Sequence, residues 1–169
     1  MPIRRLVPPD ADRFRALRLE ALLRHPEAFG DSHAEAIARA PAESEALIAQ
    51  PPPAAILGAF DAGESLLGMA GLAVSRHAKQ RHKGLVWGVY VTPAARGRGL
   101  GRALLGAVVQ AGREAGLEQL QLSVTVGNAA AMAVYLGLGF RPYGLERQAL
   151  RLGPGQYRDE ALLARDLSG

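Results

Sequence analysis

Cysteine is absent from the 169 residues of the sequence. Without a thiol the chain has no disulfide, no thiolate metal site and no nucleophilic cysteine, and its redox compartment is left undetermined. Long apolar runs are absent as well, so no segment is predicted to span a bilayer or to serve as a signal peptide. We therefore expect a cytoplasmic protein with no membrane partner.

Lysine and aromatic residues are scarce. The only lysines are Lys79 and Lys83, and aromatic side chains make up 5% of the chain. Both lysines lie in a basic run, residues 76–83, that has no interleaved aromatic side chain. We interpret this run as a solvated hairpin tip and expect no nucleic-acid partner. The formal net charge of +4 favours an anionic ligand without indicating nucleic acid.

The alternation of apolar segments and chain breakers predicts a mixed α/β protein. The length suits one domain, and no linker or repeat divides residues 1–169. One helix is predicted before Pro26, another over residues 32–40 or after Pro41 up to residue 50, and two more end at Gly116 and Gly139. Predicted strands cover residues 3–6, 54–60, 66–75, 83–91, 117–124, 140–152 and 157–165.

The most informative stretch is the glycine-rich turn of residues 91–101. The strand before it stops at Pro93, glycines follow at positions 97, 99 and 101, and apolar residues then repeat at helical spacing. The N–H groups at a helix N-terminus have no intrahelical partner and attract anions, and glycine lets a phosphate approach the backbone. Arg96, Arg98 and Arg102 add cationic donors suited to pyrophosphate. The turn therefore predicts a phosphate-binding site.

The spacing of these glycines excludes two common phosphate motifs. A triphosphate loop needs a lysine directly after its last glycine, and both lysines lie upstream of the turn. A dinucleotide fingerprint needs its third glycine at position 102 or 104, where the chain has Arg102 and Leu104. Residues 96–101 do match the pattern Arg/Gln-x-x-Gly-x-Gly/Ala.

This pattern resembles the pyrophosphate loop with which the GNAT family of N-acetyltransferases binds acetyl-CoA. Two further blocks resemble the same family in the same order. Residues 15–30 are similar to the acceptor-side helices of one branch, and residues 124–140 are similar to the second conserved block of the family. On these three blocks the chain is identified as a member of the family.

The resemblance implies both a fold and a co-substrate. The fold is an α/β (α+β) domain with a mixed, mostly antiparallel sheet of six to seven strands, four helices, and a splayed parallel strand pair that holds acetyl-CoA. No metal is expected. Gly88 suits either a β-bulge beside the thioester or a plain packing position. The implied acetyl-CoA-binding residues are Val89, Tyr90, Val91, Arg96, Gly97, Arg98, Gly99, Leu100, Gly101, Arg102, Asn128, Ala131 and Tyr135.

Tyr135 is the expected catalytic residue. In the family the matching tyrosine donates a proton to the departing thiolate, and a phenol with a pKa of about 10 suits that role. Tyr135 follows Asn128 by seven positions, which places both on one helical face. The alternatives are a buried core tyrosine and, for Asn128, a helix cap that does not contact the pantetheine arm.

The sequence assigns no general base. Many family members carry a glutamate on the fourth strand, but residues 85–91 contain no carboxylate. His82 lies at the far end of that strand from the phosphate turn, which counts against it. Glu35, Glu146 and a water chain to solvent remain as alternatives.

Three functions are compatible with the sequence. The leading one is an N-acetyltransferase that transfers acetyl directly to a primary amine in a ternary complex, because there is no cysteine to form an acyl-enzyme. The second is an acetyl-CoA sensor without efficient turnover, and the third is a nucleic-acid-binding module. The acceptor is a small-molecule or peptide amine, and a homodimer is compatible with the family.

Few residues of the sequence indicate which amine the protein would bind as acceptor. Trp87 and Phe29 are candidates either for an acceptor pocket or for the apolar core. Asp159 and Glu160 could attract a cationic amine, or they could protect an exposed strand edge against aggregation.

Overall fold

The computed structural model describes residues 1–169 and contains one seven-stranded sheet. The strands are β1 (Ile3–Arg5), β2 (Ala55–Phe60), β3 (Leu66–Val74), β4 (Lys83–Val91), β5 (Gln119–Thr125), β6 (Arg141–Gly153) and β7 (Gln156–Asp166). Their order across the sheet is β1-β2-β3-β4-β5-β7-β6, and only the β4–β5 pair is parallel. The predicted mixed, mostly antiparallel sheet is confirmed.

The helices differ in number from the prediction, which expects four. The structure has five: α1 (Ala11–Arg24), α2 (His33–Ala38), α3 (Pro41–Ile48), α4 (Leu100–Glu114) and α5 (Ala129–Gly137). The sequence treats α2 and α3 as alternatives, and both form. Pro41 disfavours a helical residue before it but suits the first turn of a new helix, so one helix ends and the next begins there. None of the five is long and apolar enough to cross a membrane.

The two faces of the sheet carry separate apolar clusters. Helices α4 and α5 cover a cluster of 19 buried residues, with Leu104 and Phe140 fully enclosed. Helices α1 and α3 cover a smaller cluster of nine, which includes Leu17 and Tyr90. Alternate residues of β4 contribute to both clusters, so this strand is the partition between two sides of the molecule.

The start of α1 is fixed to β1 by a buried carboxylate. Asp10 accepts two hydrogen bonds from the Arg4 guanidinium, at 2.7 and 2.9 Å, and a third from the Val7 backbone N–H at 2.9 Å. These bonds, the Arg4 pair foremost, lower the pKa of the Asp10 carboxyl to about 2. These bonds connect the residue before α1 to β1, although the Asp10 side chain does not cap the helix itself.

The β4–β5 pair separates after three residues. Parallel pairing runs from Lys83 opposite Gln119 to Leu85 opposite Gln121, and beyond that point the strands diverge. In the same region two residues of β4, Gly88 and Val89, stand opposite one residue of β3, which is a β-bulge. Gly88 has φ of 62°, a conformation that favours glycine. The bulge therefore lies at the mouth of the separated strands.

Candidate active site

A cleft of about 820 Å³ opens where β4 and β5 separate. Its walls are the end of β4, the N-terminus of α4, the first turns of α5 and the segment after α1. Of the residues predicted to bind acetyl-CoA, all but Arg98 line this one cleft: Val89, Tyr90, Val91, Arg96, Gly97, Gly99, Leu100, Gly101, Arg102, Asn128, Ala131 and Tyr135. The fold thus assembles three separate sequence segments around a single space.

The glycine-rich turn presents a cradle of backbone donors. Gly97 and Gly99 both have φ of 75°, and a Cβ built on either would have no neighbouring atom within 4 Å. The backbone N–H groups of residues 97–102 find no acceptor within the chain, and no side chain caps α4. Unpaired N–H groups, the positive end of the helix dipole and open space above the glycines fit a bound phosphate or pyrophosphate.

The three arginines of the turn do not surround the cradle as the sequence suggests. Arg96 bends back over the end of β4, where its Nε donates to the Val91 carbonyl at 3.0 Å and its Nη2 donates to His25 Nε2 at 3.0 Å. Arg102 donates to the Gly137 carbonyl at 3.3 Å and so connects α4 to α5. Arg98 is exposed and does not line the cleft. The unpaired donors of the cradle therefore come from the backbone more than from the guanidinium groups.

Asn128 is a helix cap, which is one of its two predicted roles, and it lies at the cleft. Its side-chain oxygen accepts from the Ala131 N–H at 3.2 Å and caps α5, and the residue also lines the cleft. The cap holds the first turn of α5 at the open edge of β5.

Tyr135 lies on the wall of the cleft that α5 forms and is 7% exposed. Its ring packs edge-to-face on Phe140, with ring centres 6.1 Å apart. Burial raises the pKa of the phenol to about 12, so the hydroxyl is protonated throughout the neutral range. A protonated phenol at this wall can donate a proton into the cleft.

Tyr90 connects β4 to α1. Its hydroxyl donates to the Glu20 carboxylate at 2.8 Å, and Thr92 Oγ1 donates to the same oxygen at 2.9 Å. Burial, with this hydrogen bond, raises the pKa of Tyr90 to about 12. Because the side chain is fixed toward α1, the hydroxyl is used within the fold, and the backbone of residues 89–91 forms one edge of the cleft.

The structure removes the predicted candidates for a general base from the cleft. Glu35 accepts from Ser32 Oγ at 2.7 Å at the start of α2, and Glu146 stands opposite Glu160 on the exposed β6–β7 hairpin. His82 precedes β4 at its far end, and none of the three lines the cleft. The proton acceptor for the amine is therefore not found among them.

Several lining residues have no motif in the sequence. His25 and Glu27 follow α1, and their Nδ1 and Oε1 atoms lie 3.4 Å apart. Thr125, at the end of β5, donates to the Glu27 carbonyl at 2.7 Å and so closes this side of the cleft. Arg158 reaches the cleft from β7. No local pattern indicates these residues, because contacts between distant segments bring them together.

The two aromatic candidates for an acceptor pocket separate in the structure. Phe29 lines the cleft, whereas Trp87 packs over Gly71, which has no side chain to obstruct the indole. Arg18 of α1 lies between them, with its guanidinium carbon 5.3 Å from the Phe29 ring centre and 5.7 Å from that of Trp87. Asp159 accepts from the Gln148 N–H at 2.8 Å, and neither it nor Glu160 lines the cleft.

Comparison with known families agrees with this architecture. The model of the acetyltransferase (GNAT) family matches residues 16–140, which include α1, the glycine-rich turn and α5. A match over this much of the chain shows the family, and the protein belongs to the GNAT acetyltransferase family.

Individual relatives share this assignment. The chain is 33% identical over 138 residues to the mycothiol acetyltransferase of Pseudarthrobacter chlorophenolicus, which is 81% of this chain and 41% of the relative. It is 35% identical over 89 residues to the L-methionine sulfoximine/L-methionine sulfone acetyltransferase of Pseudomonas aeruginosa, which is 53% of this chain and 52% of the relative. The chain spans about half the length of the curated relatives it matches.

The fold is also that of solved acetyltransferases. A phosphinothricin acetyltransferase of the GNAT superfamily from Sinorhizobium meliloti, solved in complex with acetyl-CoA, superposes with a TM-score of 0.79 at 22% identity. The superposition covers 98% of this chain and 87% of the other.

Proposed function

We propose that the protein is an acetyl-CoA-dependent N-acetyltransferase that transfers acetyl directly to the primary amine of a small molecule. One observation carries the proposal: the unpaired backbone N–H groups of residues 97–102 lie beside the gap between the separated strands β4 and β5. An anion cradle and an adjoining gap between strands suit a ligand with a pyrophosphate at one end and an extended arm at the other.

In this proposal, different parts of the cleft bind different parts of acetyl-CoA. The turn of residues 97–102 holds the pyrophosphate, and the backbone of residues 89–91 pairs with the pantetheine arm as a sheet edge pairs with a peptide. Asn128 holds the same arm from α5. In this proposal the N–H of Val89, within the bulge of β4, donates to the thioester carbonyl, where a fixed donor stabilises developing negative charge. When bound, acetyl-CoA supplies the activated acetyl group.

Tyr135 acts as the general acid in this proposal. Its hydroxyl is protonated at neutral pH, because burial raises its pKa to about 12. It donates its proton to the sulfur as the carbon–sulfur bond breaks, and the amine that forms the new carbon–nitrogen bond releases its proton through a water chain to solvent. Tyr135 lines the same cleft as residues 89–91 of β4, which supports this role.

A small-molecule acceptor is supported by the relatives, whose names refer to mycothiol and to methionine derivatives. A peptide amine, a homodimer, the single-domain organisation and the cytoplasmic location stay predictions from the sequence. The competing function is an acetyl-CoA sensor, which is favoured by one observation: β4 carries no carboxylate that could serve as a base.

Thiol release distinguishes the two. The purified protein is mixed with acetyl-CoA and a panel of amino acids, polyamines, aminoglycosides and peptides, and free CoA is measured over time. We expect release that depends on the acceptor for at least one small amine. If acetyl-CoA raises the melting temperature but no amine leads to release of CoA, the result supports the sensor instead. If acetyl-CoA causes no rise and no CoA is released, both functions are excluded.

A further inference from the structure

Arg18 is a buried cation on the α1 side of β4 that the transfer chemistry does not use. Only 17% of its side chain is exposed, and its guanidinium lies against the rings of Phe29 and Trp87. Burial lowers the pKa of Arg18, but an arginine remains charged at any physiological pH. A buried charge of this kind needs a partner of opposite charge.

The chain does not supply that partner in full. The nearest carboxylate is Asp31, whose Oδ2 lies 3.7 Å from Arg18 Nη2, beyond hydrogen-bond distance. Both oxygens of Asp31 already accept from Arg39, at 2.6 and 2.8 Å. The Asp31 carboxylate is thus shared between the guanidinium groups of Arg18 and Arg39. The other nearby carboxylate, Glu43, pairs only with the exposed Arg39, at 4.0 Å.

One nitrogen of Arg18 has no hydrogen-bond partner at all. Nη1 is the one enclosed side-chain polar atom in the chain without an acceptor. Buried donors in folded proteins are nearly always paired, so such an exception points to a group that is supplied from outside the chain.

This unpaired nitrogen lies beside the bulge of β4, directly behind the cleft, although Arg18 itself does not line the cleft. A Cβ built on Gly88 would have Arg18 Nη1 as its only neighbour within 4 Å, at 3.5 Å. Gly88 belongs to the bulge of β4 at the mouth of the cleft, and Phe29, which contacts the guanidinium, lines that cleft. The guanidinium therefore lies next to the bulge, on the opposite side of β4 from α4.

We infer that Arg18 binds a carboxylate on the acceptor, so that the enzyme acetylates amines that carry an acid group near the amine, as α-amino acids do. The carboxylate accepts from the guanidinium and supplies the missing negative charge. The amine of an α-amino acid, two bonds from the carboxylate carbon, is then held beside the bulge. The inference rests on the proposed transferase function and specifies its substrate class.

The test compares acids with their amides. Wild-type protein is assayed for CoA release with a panel of α-amino acids, and each acid is paired with its α-carboxamide, which keeps the amine and side chain but loses the charge. Arg18→Gln is assayed on the same pairs. Arg15→Gln is the matched control, because Arg15 is on the same helix but donates only to the Ile37 and Arg39 carbonyls between α1 and α2.

For the best acceptors, we expect Arg18→Gln to lower kcat/KM on the acid by at least about tenfold, mainly through KM, and to change the amide little. The ratio between variants cancels the intrinsic difference in amine reactivity between acid and amide. Arg18→Lys should restore part of the preference, and Arg15→Gln should leave it unchanged.

Other outcomes overturn the inference in recognisable ways. An Arg18→Gln protein that keeps its activity on both acids and amides contradicts it, and so does one that loses both activities equally while acetyl-CoA still raises its melting temperature. In either case the transferase function survives. If acetyl-CoA neither stabilises the wild type nor releases CoA with any amine, the proposed function itself fails.

Discussion

The two sides of β4 are built in different ways. On the side of α4 and α5, the cleft is defined by backbone: two glycines with positive φ and a run of N–H groups without acceptors. On the side of α1, side chains from distant segments pack against β4, namely Arg18, Phe29 and Glu20, and of these Phe29 lines the cleft. The first side offers donors that any pyrophosphate accepts, and the second offers a particular arrangement of charge and aromatic surface.

This difference separates what the family shares from what the individual protein selects. A backbone site depends on glycine and on strand and helix termini, so it tolerates change in every other side chain. A side-chain site changes with each substitution on α1 or on the segment after it. We therefore assign the co-substrate to one side of β4 and the choice of acceptor to the other, and the following predictions test that division.

The largest effect is expected at Tyr135, where the co-substrate side meets the chemistry. Tyr135→Phe keeps the ring on Phe140 and removes only the hydroxyl, so turnover should fall by about 100-fold, the lower end for loss of a general acid. Acetyl-CoA should still raise the melting temperature by the same amount. Steady-state CoA release and a thermal melt are the two measurements, and the exposed Tyr143→Phe on β6 is the control. Unchanged turnover would remove Tyr135 as the acid.

A smaller effect is expected from Gly99→Ala, which affects the backbone site alone. A left-handed conformation costs an L-residue about 1–2 kcal/mol, and relaxation of the turn would misdirect its N–H groups. We expect acetyl-CoA affinity to fall by roughly tenfold, measured by calorimetric titration, with acid-over-amide preference unchanged.

Gly106→Ala supplies the control for that change. Gly106 is inside α4, and a Cβ there has no neighbour within 4 Å. The substitution should stabilise the helix by roughly 0.5–1 kcal/mol and leave the affinity for acetyl-CoA as it is. Equal loss of affinity in both variants would mean that the backbone of the turn is not the binding element.

The smallest effect on acetyl transfer is expected from Asp10, which affects stability on the α1 side. Its folded pKa of about 2 lies below the ordinary 3.8, so the unfolded chain takes up the proton first as the pH falls. The carboxylate therefore stabilises the fold above about pH 4, and this contribution, roughly 2 kcal/mol, is lost progressively toward pH 2.

Urea unfolding across this pH range measures the contribution. Asp10→Asn should flatten the stability profile between about pH 4 and pH 2 and lower stability at neutral pH, without a change in acetyl-CoA affinity. A profile that keeps the wild-type slope in Asp10→Asn would show that another carboxyl group is responsible.

The same division explains what the sequence could predict. The strand, turn and helix around residues 91–101 follow from local chemistry, whereas the bulge at Gly88 and the cap at Asn128 are each one of two alternatives that the sequence leaves open. The arrangement of Arg96 could not be predicted, since its partners are the Val91 carbonyl and His25, which belongs to the segment after α1. The orientation of a long side chain depends on whichever groups the fold brings near it.

The role of residues on the α1 side of β4 could not be predicted from the sequence, for the same physical reason. Arg18 has the spacing of an ordinary helical arginine, and nothing near it in the sequence indicates that Arg39 occupies Asp31 and leaves one of its nitrogens unpaired. Glu35 and Glu146 are candidates for the general base because they are carboxylates. In the structure they lie at a helix start and on an exposed hairpin, outside the cleft.

The central claim is that the backbone of residues 97–102 binds the pyrophosphate of acetyl-CoA. Amide proton–nitrogen correlation spectra, recorded while acetyl-CoA is titrated in, test it most directly, because they report each N–H separately. We predict large, saturable shifts for the amides of residues 97–102 and little change for those of β1 and α3. Saturable binding that leaves the amides of residues 97–102 unshifted would contradict the account.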